Sequence, residues 1–239
     1  MKGMKPFSLT VASPTVVVLG VALLAGCGLI SSDISKLTFD LPTETYTFDT
    51  AQWSNLPKGT VPAVQCASAS DCCTAATVTN SGISCGMLTC NASSVCEVDV
   101  PESAASSVNL AMQVPVLNTF GGRALSNVTI SSISYAVSNN SLNIDLPPMT
   151  IYLAPDGVTD PTDPTARAFG TIPSIPKMTD PSGMVMLVPN AGQVFAEFTG
   201  NVSTPFNIIA AGTVSIPGGS DVPSGAITLS VTGAVSAQI

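Results

Sequence analysis

Six of the chain's seven cysteines, Cys66, Cys72, Cys73, Cys85, Cys90 and Cys96, fall within 31 residues, and they constrain the fold more than any other feature. Between them lie Ser, Thr, Ala, Gly and Asn, with almost no large apolar side chain. Such a segment cannot bury enough apolar surface to offset the entropy of ordering its backbone. Covalent cross-links are the expected substitute, which places the chain in an oxidising compartment. Six cysteines allow 15 pairings, and the three that contain a Cys72–Cys73 bond are disfavoured because adjacent residues meet disulfide geometry only with strain. The sequence does not choose among the other twelve. Thiolate ligation of zinc or an iron–sulfur cluster is the competing reading, but there is no CxxC spacing to support it.

On either side of the cluster the chain reads as short strands. Leu37, Phe39 and Leu41 alternate with polar residues, as do Tyr46 and Phe48, giving two strands around Pro42. Ser103 to Ser107 reads as a turn or linker after Val98 and Val100. Val108, Leu110, Met112, Val114 and Val116 alternate as a half-buried strand. Val128 to Val137 forms another, with a phase slip at Ser131-Ser132 that suggests a bulge. Asn139-Asn140 is a turn signal, so Ile133 to Leu146 reads as a hairpin. Met149, Ile151 and Leu153 resume after Pro147-Pro148, and Phe169 to Ile175 is a short strand. Met184 to Val188 is either a buried strand or a lead into a helix.

Asn190 can cap a helix over Ala191 to Thr199, with Val194, Phe195 and Phe198 on one face and Gly200-Asn201 as its stop. Phe206 to Ile216 and Ile227 to Val235 read as a closing hairpin across the Gly/Pro-rich Pro217 to Gly225, its last strand running to the end of the chain. The expected fold is therefore mainly β. It is an antiparallel β-sandwich, Ig-like in the loose sense, with one short helix and a disulfide-rich insertion. First strands over 37–60, a cysteine module over 61–100 and the main sandwich over 101–239 are the expected divisions.

The N-terminus carries Lys2 and Lys5, then an almost charge-free run from Phe7 to Gly26, and ends Leu24-Ala25-Gly26-Cys27. A basic start, an apolar middle and small residues before a cut are the parts of a secretory signal. Ser8, Ser13, Pro14, Gly20 and Gly26 weaken the same run as an uncleaved membrane span. The tetrapeptide is similar to the lipobox of bacterial lipoproteins. That resemblance implies a diacylglyceryl group on Cys27, cleavage of residues 1–26 and acylation of the new N-terminus. It implies a membrane partner through the lipid, with 27–36 as a tether. Gly28 stands where an aspartate would retain such a protein at the inner membrane, which favours the outer membrane. The cysteine segment, with its Asp71-Cys72-Cys73 step, resembles small Cys-rich modules of secreted proteins, although its CC pair is not placed as in a knottin.

Charge and composition exclude several functions. All acids follow Cys27 and two bases precede it, so the chain after the cut carries 5 − 15 = −10. Nucleic-acid binding, which needs clustered Lys and Arg, is not expected. No histidine occurs, which excludes Ser-His-Asp and Cys-His catalysis and histidine-ligated metal. Paired carboxylates do glycoside chemistry without histidine, but the acids here sit mostly in turns and aromatic sugar platforms are scarce. Asp156, Asp160 and Asp163 share a loop with Pro and Gly; they are candidate calcium ligands, but turns require the same residues and the spacing matches no EF-hand. The four Asn-x-Ser/Thr sequons, at Asn91, Asn127, Asn139 and Asn201, read as chance matches in a chain with a bacterial lipobox.

Nothing in the sequence names a reaction. The expectation is a non-enzymatic, lipid-anchored envelope protein with a structural or interaction role and no cofactor. Its partner would be another envelope protein. The alternative is a carrier of apolar ligands or envelope lipids, which would need an open cavity lined by Met112, Met149 or Phe206.

Overall fold

Inward-facing apolar side chains alternating with Ser and Thr build two stacked sheets. The computed structural model describes residues 36–53, 56, 61, 63–79, 83–119 and 124–238. The signal segment, the lipobox with Cys27 and the tether up to 35 lie outside the described residues.

The first strand, β1 (Leu37–Asp49), is continuous where two strands were expected; its register slips between Leu41 and Glu44, at Pro42. Proline cannot donate to a ladder, and a bulge absorbs it without ending the strand. Phe39, Tyr46 and Phe48 face inward and Thr38, Thr45 and Thr47 outward. The cysteine segment holds α1 (Ala69–Thr79) and β2 (Leu88–Cys90), and β3 (Cys96–Val108) leads out of it.

Two expectations fail on either side of Val108. Ser103 to Ser107 is not a linker but the second half of β3. The expected strand Val108 to Val116 is two short helices, α2 (Leu110–Gln113) and α3 (Pro115–Asn118). The alternation there is real but misleads, because Leu110, Val114 and Leu117 also follow an i, i+4, i+7 helical spacing, and these are the residues that are buried. Asn109 caps α2 by accepting the Met112 N–H, and Pro115 opens α3.

The rest of the sandwich comprises β4 (Ser126–Ser138), β5 (Met149–Pro155), β6 (Arg167–Ile172), β7 (Ser182–Met184), β8 (Met186–Leu187), the helix α4 (Ala191–Phe198), β9 (Phe206–Pro217) and β10 (Ala226–Gln238). One sheet has the order β1-β10-β4-β7 and the other β2-β3-β9-β5-β6-β8, with every pairing antiparallel. This is the expected mainly β sandwich. The bulge expected near Ser131 is present: Ala234 pairs with Ser132 and Val235 with Ile130, leaving Ser131 unpaired. The helix expected after Asn190 is α4.

Three local pairings differ from expectation. Leu142 to Leu146 does not return along β4. Its backbone bonds to the lead-in of β10, Ser141 N–H to the Ala226 carbonyl and Asn143 N–H to the Ser224 carbonyl, while β10 and β7 flank β4. The closing hairpin does not form, because β9 and β10 lie in different sheets and Pro217 to Gly225 carries the chain between them. Each strand then sits between two partners, which satisfies both of its backbone edges. Met184 to Val188 is not buried as a unit: Val185 points inward while Met184 and Met186 are exposed. The run passes from the edge of one sheet, where β7 pairs with β4, to the edge of the other, where β8 pairs with β6.

Candidate functional site

The disulfide module is built around a helix start. Ser68 precedes α1, and the Asp71 carboxylate reaches back to accept the N–H groups of Ala67 and Ser68 and the Ser68 hydroxyl, at 2.8, 2.9 and 3.2 Å. This is the return half of a capping box, with Asp in place of the usual Glu, while the Asp71 N–H bonds the Ser68 carbonyl. The backbone donors hold the Asp71 carboxyl below its usual range. Helical residues advance by 100°, so the adjacent cysteines point in different directions. Cys72 is buried and bonds Cys96 on β3, whereas Cys73 bonds Cys85. Cys66 bonds Cys90 on β2. Cys90 and Cys96 sit opposite one another in the β2–β3 ladder, so two disulfides leave one rung side by side. The Sγ atoms of Cys66, Cys72 and Cys96 lie within 4.8 Å of one another. Held in disulfides, they offer no thiolate to a metal.

The structure does not bring the three loop aspartates to a common centre. Asp160 accepts the Thr162 N–H and hydroxyl, and Asp163 accepts those of Thr165. These local donors hold both carboxyls below the usual range. Asp156 accepts from the Ser107 hydroxyl at 3.4 Å. Each carboxylate thus orders its own turn or anchors the loop to β3.

The loop covers the outer face of the six-stranded sheet. Val158 and Ala166 pack on Ala154, Ile209 and Ala211, and buried Asn207 donates its side-chain N–H to the Val158 carbonyl at 2.9 Å. Beside it runs a groove of about 620 Å³. Ser103 of β3, Thr213 of β9, and Thr150 and Tyr152 of β5 form its floor, with Asp160 and Pro161 on its rim. No lysine or arginine lines the groove. A partner resting there meets hydroxyl groups, one aromatic ring, the ionised Asp160 carboxylate and the side chain of Glu102 on β3. The sequence hides this site because its floor comes from three strands paired over long range.

Between the sheets the core is filled. Phe195 packs edge-on against Phe206, and Phe169 and Phe198 flank the pair. The interior gaps hold about 10 and 20 Å³, against the several hundred of an ordinary ligand chamber. Met149 and Phe206 are buried in that core and Met112 stands on the surface, so the open apolar cavity expected of a carrier is not formed among the described residues. Glu44 also faces inward, 6% exposed, and accepts a hydrogen bond from the Ser106 hydroxyl across the two sheets.

No family model and no curated protein matches the chain. Among solved structures it is similar to a chain from Desmodium yellow mottle tymovirus at 10% identity and a TM-score of 0.24, covering 98% of this chain and 96% of that one. A chain from turnip yellow mosaic virus is similar at 10% identity and a TM-score of 0.25, covering 98% and 90%. One from the infectious bursal disease virus Gx strain has 13% identity and a TM-score of 0.22, covering 82% and 37%. Likeness at these scores says nothing about the role of this chain.

Proposed function

We propose that the protein is a non-enzymatic lipoprotein of the bacterial cell envelope, attached through lipid on Cys27, favouring the outer membrane, and acting as a structural or interaction module. Leu24-Ala25-Gly26-Cys27 carries this reading, because a basic start and an apolar run precede it in the order a lipoprotein signal requires. Three disulfides among the remaining six cysteines suit an exported chain. No helix among the described residues is long and apolar enough to cross a membrane. One acyl chain holds a protein only marginally at ~0.8 kcal/mol per CH₂, and several hold it durably. The groove beneath Asp160 is the surface on which a polar envelope partner would rest.

Intact-mass spectrometry with labelled palmitate tests the anchor. The expected mature chain begins at Cys27, carries acyl mass and lacks six hydrogens for three disulfides. Cys27→Ser should take up no label and leave the membrane fraction. Unchanged membrane retention of Cys27→Ser, with no palmitate in the parent protein, would overturn the assignment.

A further inference from the structure

The short helices α2 and α3 present an uncharged surface at one end of the sandwich. Leu110, Ala111, Val114 and Leu117 are buried and fill the side that faces the core. Met112 and Val116 are turned out, 81% and 41% exposed, with Gln113, Pro115 and Asn118 beside them. The helices are tied to the segment 199–205. The Ala111 N–H donates to the Val202 carbonyl at 3.0 Å, and the Asn109 side-chain N–H to the Ser203 carbonyl at 3.3 Å. Neither 109–119 nor 199–205 contains Lys, Arg, Asp or Glu, in a chain with fifteen acids.

This is the end at which the chain enters the fold. β1 and β3 face one another in opposite directions: Phe48 and Glu102 line one gap, and farther along Ser106 donates to Glu44. Past Val108 the same course brings α2 against the start of β1. Leu37 pairs with Ala237 there, and Ser126 with Gln238. Lys36, exposed, stands just before Leu37. Acids gather at the opposite end instead. Asp49 pairs with Ala226, Asp145 accepts the Lys177 N–H at 2.8 Å, and Asp180 accepts the Asn140 N–H at 3.0 Å. Met178 lies in that far turn, 62% exposed.

We propose that the α2–α3 surface rests on a lipid bilayer, with Met112 and Val116 entering the headgroup boundary. The inference rests on the lipid proposed for Cys27. The chain from Cys27 to Leu37 spans at most ~36 Å, at ~3.6 Å per residue, so a lipid there delivers the Leu37 end of the sandwich to the membrane. Charge then selects the surface within reach. Anionic headgroups repel carboxylates, and this end offers none from 109–119 or 199–205, while Lys36 adds a cation. The flanking acids are set on other surfaces: Asp40 points out from β1, Asp156 accepts from Ser107, and Glu197 pairs with Arg167 at 3.2 Å. Methionine, unbranched and flexible, suits an irregular apolar boundary. Two apolar side chains fall short of the ~800 Å² per partner that a stable dimer buries. A bilayer demands less, because the lipid already holds the surface beside it at high effective concentration.

Methionine methyl ¹³C NMR tests this on the chain as the cell processes it, placed in nanodiscs of phosphatidylcholine and phosphatidylglycerol. Met112→Leu assigns the Met112 signal and Met178→Leu that of Met178. In discs that also hold 5-doxyl phosphatidylcholine, whose spin label sits near the headgroup boundary, the Met112 methyl should lose most of its intensity and the Met178 methyl should keep it. Equal intensity at the two methyls would overturn the surface. So would a dimer in detergent that Met112→Ser returns to monomer, because a second copy would then be the occupant. Mass spectrometry of the same sample separates the two readings. An acylated Cys27 with an unaffected Met112 leaves the anchor standing and removes this surface, whereas an unacylated Cys27 removes both.

Discussion

Glu102 ties the stability of the fold to pH with a definite sign. Its carboxyl is raised from 4.5 to about 7 in the folded protein, so the folded state holds the proton more tightly than the unfolded one. That contribution is complete below 4.5 and is lost as pH rises through about 7. Glutamine keeps the neutral shape at every pH. Glu102→Gln should leave stability unchanged near pH 4.5 and raise it above pH 7 by about 1 kcal/mol, after discounting for solvent screening at a half-exposed group. Urea unfolding at the two pH extremes measures the difference, and an equal effect at both would refute the linkage. Gly225 is constrained by backbone geometry instead. Its φ is +103°, and a Cβ there would lie 2.2 Å from the Ser141 carbonyl oxygen. Gly225→Ala should cost about 1–3 kcal/mol in the same assay, because strain and collision act together.

The disulfide module shows most clearly which elements can be read in advance. Cys72–Cys96 closes a separation of 24 residues and pins α1 onto β3. Replacing both cysteines by serine should destabilise the protein by about 3 kcal/mol, read from denaturation midpoint and slope together, the slope rising because the freed unfolded chain exposes more surface. The need for cross-links is visible in the sequence because Ser, Thr and Ala cannot supply a core. The pairing is not, because it depends on which way each sulfur leaves α1. The helix α1 was not anticipated; Ser68-x-x-Asp71, whose carboxylate accepts the Ser68 N–H, is the local signal that marks its start. The bulge at Ser131 and the helix after Asn190 were legible because each is a local break in periodicity. Leu110 and Val114 fit a strand with Met112 and Val116 or a helix with Leu117, and only Asn109 and Pro115 decide between them. The aspartates of the 156–166 loop order its turns, and the residues that order a turn also bind calcium, so sequence pattern does not separate the two uses. The groove was beyond reach of pattern reading, since Ser103, Thr213 and Tyr152 meet only once β3, β9 and β5 are in register.

For the molecule as a whole, β3 decides how the parts hold together. Its first residues, Cys96 to Val98, complete the ladder with β2 inside the cysteine module, and its full length pairs with β9 at the centre of the six-stranded sheet. The module and the sandwich thus share a strand, and the module cannot lose its structure without releasing an edge of the sheet. A module joined only by a linker would melt by itself. A shared strand predicts one cooperative transition, with the calorimetric and van't Hoff enthalpies equal. Scanning calorimetry of the oxidised protein should therefore give a single peak. Reducing agent should move that peak to lower temperature as a whole, because the lost cross-links weaken the native state that both parts depend on. Two peaks in the oxidised protein would show that β3 does not couple them. So would a reductant-sensitive minor peak beside an unmoved major one, and in either case the strand would be a physical boundary where its backbone pairing is continuous.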